Sequence, residues 1–187
     1  MSLSESLLRE RLMSIFSDPV KSYAQAEVRL GHVYHEYASQ AVDASGDSLL
    51  SSNPSGFRSA LRFSGISKLE FASQMDTAMQ SYWTGAAFGI GSLVVGTGVP
   101  CPNVGGTGLF SSEISSLVSV VTPGVMRGAL LADPLSLTRN NSMSAAVAFA
   151  RAMHLATSSA VLVLIAGLDT TPPPGGPLPV TNTCHLF

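Results

Sequence analysis

The chain has 187 residues, 45% of them hydrophobic, which is room for one ordinary domain with its own core but not for two. Charged residues make up only 12% and the net charge is −2. That balance argues against disorder, which needs low hydrophobicity and high net charge, and against a nucleic-acid binder with its basic stripe. A surface so poor in charge is instead expected to be covered by partner chains.

Charge divides the sequence unevenly. Of the 22 charged residues, 16 lie in positions 1–76 and only six in the remaining 111: Glu113, Arg127, Asp133, Arg139, Arg151 and Asp169. Three regions are expected on this basis: a helical region over 1–76, an α+β core over 77–169 and an extended C-terminal arm over 170–187.

In chain order, Leu3, Leu7, Leu8, Leu12, Ile15 and Phe16 recur at helical spacing and predict an amphipathic first helix. Asp18-Pro19 should end it and open a second, with Asp18 as N-cap and Pro19 at the first helical position. That second helix follows Tyr23, Val28, Leu30, Tyr34 and Tyr37 to a glycine stop near Ser45-Gly46. Asp47–Ser55 reads as a polar loop, and a short helix carrying Phe57, Ala60, Leu61 and Phe63 follows Pro54. Ser67-Lys68-Leu69-Glu70 is a capping box that opens a third long helix, whose apolar face is Leu69, Ala72, Met75, Met79, Tyr82, Trp83 and Ala86.

The pattern then changes. Seven glycines between 89 and 109, with Leu93-Val94-Val95 among them, defeat a helix and predict a hairpin. Ser111-Ser112 should cap a helix through Ile114, Leu117, Val118 and Val121, kinked at Thr122-Pro123-Gly124 and resuming through Met126, Leu130 and Leu131. Asn140-Asn141-Ser142 opens the last helix, with Ala146, Val147, Phe149, Ala150 and Met153 on its face. Val161–Ile165 is the strongest strand and, lacking alternation, is expected to be buried on both sides. The five prolines and two glycines within 170–179 predict an extended arm. The expected fold is α+β: about five helices, a small sheet with a hairpin, and a Pro/Gly-rich C-terminal arm.

The sequence offers little for chemistry. His32 and His35 stand one helical turn apart, but no third ligand follows at a metal-site spacing, so packing or surface histidines are the plainer reading and no metal is expected. Gly89-Ile90-Gly91 and Gly105-Gly106-Thr107-Gly108 lack the third glycine of a dinucleotide loop and the lysine of a phosphate loop. No Gly-x-Ser-x-Gly elbow occurs. Neither a catalytic residue, a cofactor site nor a small-molecule ligand is expected, and the chain is read as a non-enzyme. Trp83 is either a core residue or an interface anchor. Cys101 and Cys184, both in segments read as exposed, are either incidental thiols or partners in a disulfide formed outside the cell. Val180, Leu186 and Phe187 give the arm something apolar to bury on a neighbour.

The start, Met1-Ser2-Leu3-Ser4-Glu5, lacks the features of a signal peptide. The most apolar stretch, Ala86–Val99, is too interrupted by glycine to span a membrane as a helix.

Residues 78–187 resemble a type of small virion protein of tailed bacteriophages. The shared features are the aromatic helix end Tyr82-Trp83-Thr84-Gly85, the Gly96-Thr97-Gly98-Val99 turn, the Ala148–Leu155 helix ending at His154 before Val161–Ile165, and the tail Pro172-Pro173-Pro174-Gly175-Gly176. The resemblance implies a structural subunit of a neck (head–tail connector), tail or baseplate. Such a subunit assembles in rings with its own copies and neighbouring virion proteins, is made in the host cytoplasm and resides in the virion. A secreted binding or adhesion module and a small pore-forming protein are the alternatives.

Overall fold

The computed structural model describes residues 3–18, 22–42, 48–88, 110–112, 115–116, 124–133, 142–159, 161–164, 167–169, 178–179 and 182–185. These residues are mostly helical. The six helices are α1 (Glu5–Ser17), α2 (Tyr23–Ala38), α3 (Pro54–Ser59), α4 (Lys68–Trp83), α5 (Val125–Ala132) and α6 (Ser142–Ser158).

Local chemistry starts most of them. Ser4 caps α1 by accepting from the Leu7 N–H, and Leu8, Leu12 and Ile15 turn inward. Asn53 caps α3 through the Gly56 N–H, with Pro54 at the first turn. The capping box of α4 is complete: Ser67 Oγ accepts from the Glu70 N–H at 3.2 Å, and Glu70 Oε2 accepts from the Ser67 N–H at 2.7 Å.

The start of α2 departs from expectation. Ser22, not Asp18, is its N-cap and receives the Gln25 N–H. Asp18 ends α1 and forms an ion pair with Arg29 at 2.7 Å. Both residues can cap, and with Ser22 in that role Asp18 pairs with a cation nearly two turns into α2. The helix also stops at Ala38, earlier than the glycine at 46. Ser39 Oγ and Gln40 Nε2 both donate to the Glu36 carbonyl, satisfying a terminal acceptor that a further helical turn would otherwise use.

Short extended segments accompany the helices. Strand β1 (Leu49–Ser51), within the stretch read as a loop, pairs antiparallel with β2 (Ala87–Phe88), which pairs with β4 (Ser115–Ser116). Strand β3 (Phe110–Ser112) pairs with β6 (Gly167–Asp169), and β6 with β7 (Leu178–Pro179). Strand β5 (Val161–Leu164) pairs with β8 (Asn182–His185).

The helix expected from Ser111 is therefore not formed at its start. Ser111, Ser112, Ser115 and Ser116 are extended and α5 follows Gly124, while Ile114, Leu117, Val118 and Val121 lie outside the described residues. Serine favours local side-chain bonds over helical ones, so pairing with a neighbouring strand outweighs its weak propensity. The expected hairpin over 89–109 lies outside the described residues. Within the segment read as an arm, 178–179 and 182–185 are paired strands; its other residues, Val180, Leu186 and Phe187 included, lie outside them.

One buried cluster runs from Leu3 to Ala156 and draws on all six helices. Helix α6 packs on α1 and α5, and α4 on α3 and α5. Position 76 falls inside α4, so the change in charge density is not a packing boundary: charge reports what meets water, whereas the apolar residues of both regions share one interior. Six residues that the apolar patterns placed on helix faces are exposed instead: Phe16, Tyr23, Val28, Leu69, Leu131 and Val147.

Candidate functional site

A connected set of polar side chains lies inside the helical body, where α2, α4 and α6 meet. Tyr34 and Tyr37 come from α2 at i, i+3, Tyr82 and Trp83 from the end of α4, and Met153, His154 and Thr157 from one turn of α6. The aromatic rings interlock. Tyr34 stacks on Phe57 at 4.7 Å and meets Tyr82 edge-on at 4.9 Å, and Tyr82 meets Trp83 edge-on at 5.1 Å.

Donor and acceptor roles in the centre follow from counting protons. The Thr157 hydroxyl donates to the Met153 carbonyl at 2.8 Å, so its oxygen is free only to accept. It accepts from the Tyr34 hydroxyl at 3.0 Å. Tyr34 in turn accepts from the Trp83 indole N–H at 2.7 Å. The result is a one-way chain, Trp83 to Tyr34 to Thr157 to the Met153 carbonyl, which ties three helices together with Tyr34 and Thr157 wholly buried. Two half-buried pairs flank it: His35 Nδ1 with Tyr82 Oη at 2.8 Å, and His154 Nδ1 with Tyr37 Oη at 2.6 Å.

Burial disfavours a phenolate, and it raises the pKa of all three tyrosines. Tyr82 is pushed up to about 12, and Tyr34 and Tyr37 are also displaced well upward. The hydroxyls are neutral donors and acceptors across the physiological range. The arrangement clamps the helices: the donor chain is enclosed, and each histidine has its Nδ1 engaged by a tyrosine.

A second buried polar group, Asp76 of α4, is 8% exposed. Both its carboxylate oxygens accept from the Gly124 N–H, at 3.0 and 2.9 Å, and Gln80 Nε2 donates to Oδ2 at 2.8 Å. On the surface, a shallow depression along α1 is lined by Ser6, Leu7, Arg9, Glu10 and Met13.

The residues singled out from sequence are dispersed. Trp83 is fully buried and part of the clamp, so it is a core residue and not a surface anchor: its indole fills the junction of α2, α4 and α6. His32 is exposed while His35 is turned to Tyr82. Among the described residues no three His, Cys, Asp or Glu side chains stand together as a metal site, and no helix is long and apolar enough to cross a membrane. Cys184 lies in β8 opposite Leu162, whereas Cys101 is outside the described residues.

Sequence reading overlooked Tyr34, Thr157 and Asp76 as polar centres. The available signal was position: each stands on the apolar stripe of its helix, where a polar group must find a partner. No known protein family, curated protein or solved structure matches the chain.

Proposed function

We propose that the chain is a structural subunit of a tailed-phage particle, in its neck, tail or baseplate. It works by associating with copies of itself in a ring and with neighbouring virion proteins, not by catalysis. The observation that carries this reading is the distribution of charge, with only six charged residues in the last 111. Surface this short of charge is poorly suited to facing water alone. The outward residues of α6 agree with it: Met143, Val147 and Leu155 are 59%, 38% and 53% exposed on a helix whose solvent face would otherwise be polar.

The finer α+β architecture belongs to the same proposal. On this reading the glycine-rich residues 89–109 are a hairpin that builds a small sheet with Val161–Ile165, and the proline-rich part of 170–187 is an extended arm. Prolines restrict that arm before it docks, which lowers the entropy lost on binding. Val180, Leu186 and Phe187 are its contacts on a neighbour, and Cys101 or Cys184 is oxidised in the mature particle. The protein is made in the host cytoplasm and resides in the virion.

The test is the mass of the native chain by analytical ultracentrifugation, followed by cryo-microscopy of any discrete complex. A closed oligomer is the expected result. A soluble monomer at high concentration would overturn the proposal in favour of a binding module, and partitioning into detergent would favour a pore former. Removing residues 171–187 should leave the helical body folded and impair assembly; unimpaired assembly removes the arm from the proposal.

A further inference from the structure

Helix α5 is held in place almost entirely by groups outside itself. It has eight residues, fewer than an isolated helix needs to persist in water. It opens on Gly124, at φ +90°, which has no side chain to cap the helix. The cap comes instead from α4, 48 residues away in sequence. Asp76 receives the Gly124 N–H on both carboxylate oxygens and faces the Arg127 N–H at 3.5 Å. Gln80, one turn further along α4, donates to Oδ2 and holds the carboxylate in place. The negative charge also faces the positive end of the α5 dipole. On its inner face α5 buries Met126 and Leu130 completely while packing on α4 and α6.

We propose that α5 is a strap latched by Asp76, which detaches from the body as a unit and thereby uncovers the apolar surfaces of α4 and α6 beneath Met126 and Leu130. A long helix such as α6, enclosed by α1 and α5, gains its stability from the whole core and opens only with it. Strap α5 buries only Met126 and Leu130 completely, with Val125 and Ala129 partly buried beside them, and is capped by the Asp76 carboxylate. Its opening is therefore the smaller event. The strap opens in this way whether or not the chain forms rings.

Native-state hydrogen exchange of the full-length protein tests it, reading the amides of 128–132, which bond within α5, against those of 149–157 in α6. In the unaltered protein the α5 amides should exchange through an opening with a small but measurable denaturant dependence, set by the surface that α5 uncovers, and the α6 amides through one that is much more strongly dependent. Asp76→Asn removes the charge and one acceptor oxygen, and should speed exchange in 128–132 on the order of tenfold while leaving 149–157 unchanged. Gly124→Ala reaches the same latch from the other side. Its added Cβ meets nothing within 4 Å, so its effect comes only from the unfavourable φ, and the same amides should quicken. The second variant decides the matter should the first fail to fold. Equal opening of both segments in the unaltered protein, or parallel acceleration of both in the variants, would make α5 part of one cooperative unit and overturn the proposal. Unchanged exchange in 128–132 in both variants would equally remove Asp76 as the latch.

Discussion

Replacing Thr157 by Val tests the donor chain with little change of shape. Thr157 is wholly buried, and its oxygen is the acceptor for the only proton of the equally buried Tyr34. Valine puts a methyl group in that place, and the Tyr34 O–H then faces carbon. Leaving a buried donor without its acceptor costs about 1–3 kcal/mol. The Met153 carbonyl loses the threonine hydroxyl but keeps the helical N–H of α6. The extra methyl recovers roughly 0.8 kcal/mol by burial. The expected net loss is therefore about 0.2–2 kcal/mol, or up to about 8 °C in Tm for a chain of this size. Urea unfolding followed by the fluorescence of Trp83, the single tryptophan, reads the change, because its indole bonds to Tyr34. Tyr34→Phe removes the same Tyr34–Thr157 bond from the other end. The two substitutions together should cost about 1 kcal/mol less than the sum of the singles. A Thr157→Val protein as stable as the parent, or strictly additive losses, would refute the chain of donors.

Two further outcomes follow from the same body. At Gly31 a new Cβ would collide with the Arg58 side chain, while the exchange itself favours helix by about 1 kcal/mol. Gly31→Ala should thus be neutral or destabilising alone but stabilising by about 0.5–1 kcal/mol beside Arg58→Ala; equal effects in both backgrounds would count against the contact. Burial raises Tyr34, Tyr37 and Tyr82 above the ordinary value of 10.0, Tyr82 to about 12, by favouring the neutral form in the folded state. Their contribution to stability is present below pH 10 and is lost as the pH climbs toward 12. Tyrosine absorbance at 295 nm and helical circular dichroism should therefore change together in alkali. Ionisation of all four tyrosines near pH 10 with helix intact would contradict the buried placement.

What the sequence by itself determined is the part governed by contacts a few residues apart. Ser67 and Glu70 form their box, Asn53-Pro54 starts α3, and the leucine spacing sets the buried face of α1, because each depends only on neighbours along the chain. Where two local solutions compete, the tertiary structure chose between them. Asp18 and Ser22 can both cap α2, and the reach of Arg29 to Asp18 accompanies the choice of Ser22. Ser111-Ser112 can open a helix or pair as a strand, and the backbone of 167–169 lies alongside them. The polar interior was beyond local reading altogether. Tyr34 lies 49 residues from Trp83 and 123 from Thr157, and Asp76 lies 48 from Gly124. A buried hydroxyl or carboxylate on an apolar stripe announces that a partner is required. Which partner it finds depends on how the helices cross, and that is decided only when the shared core closes.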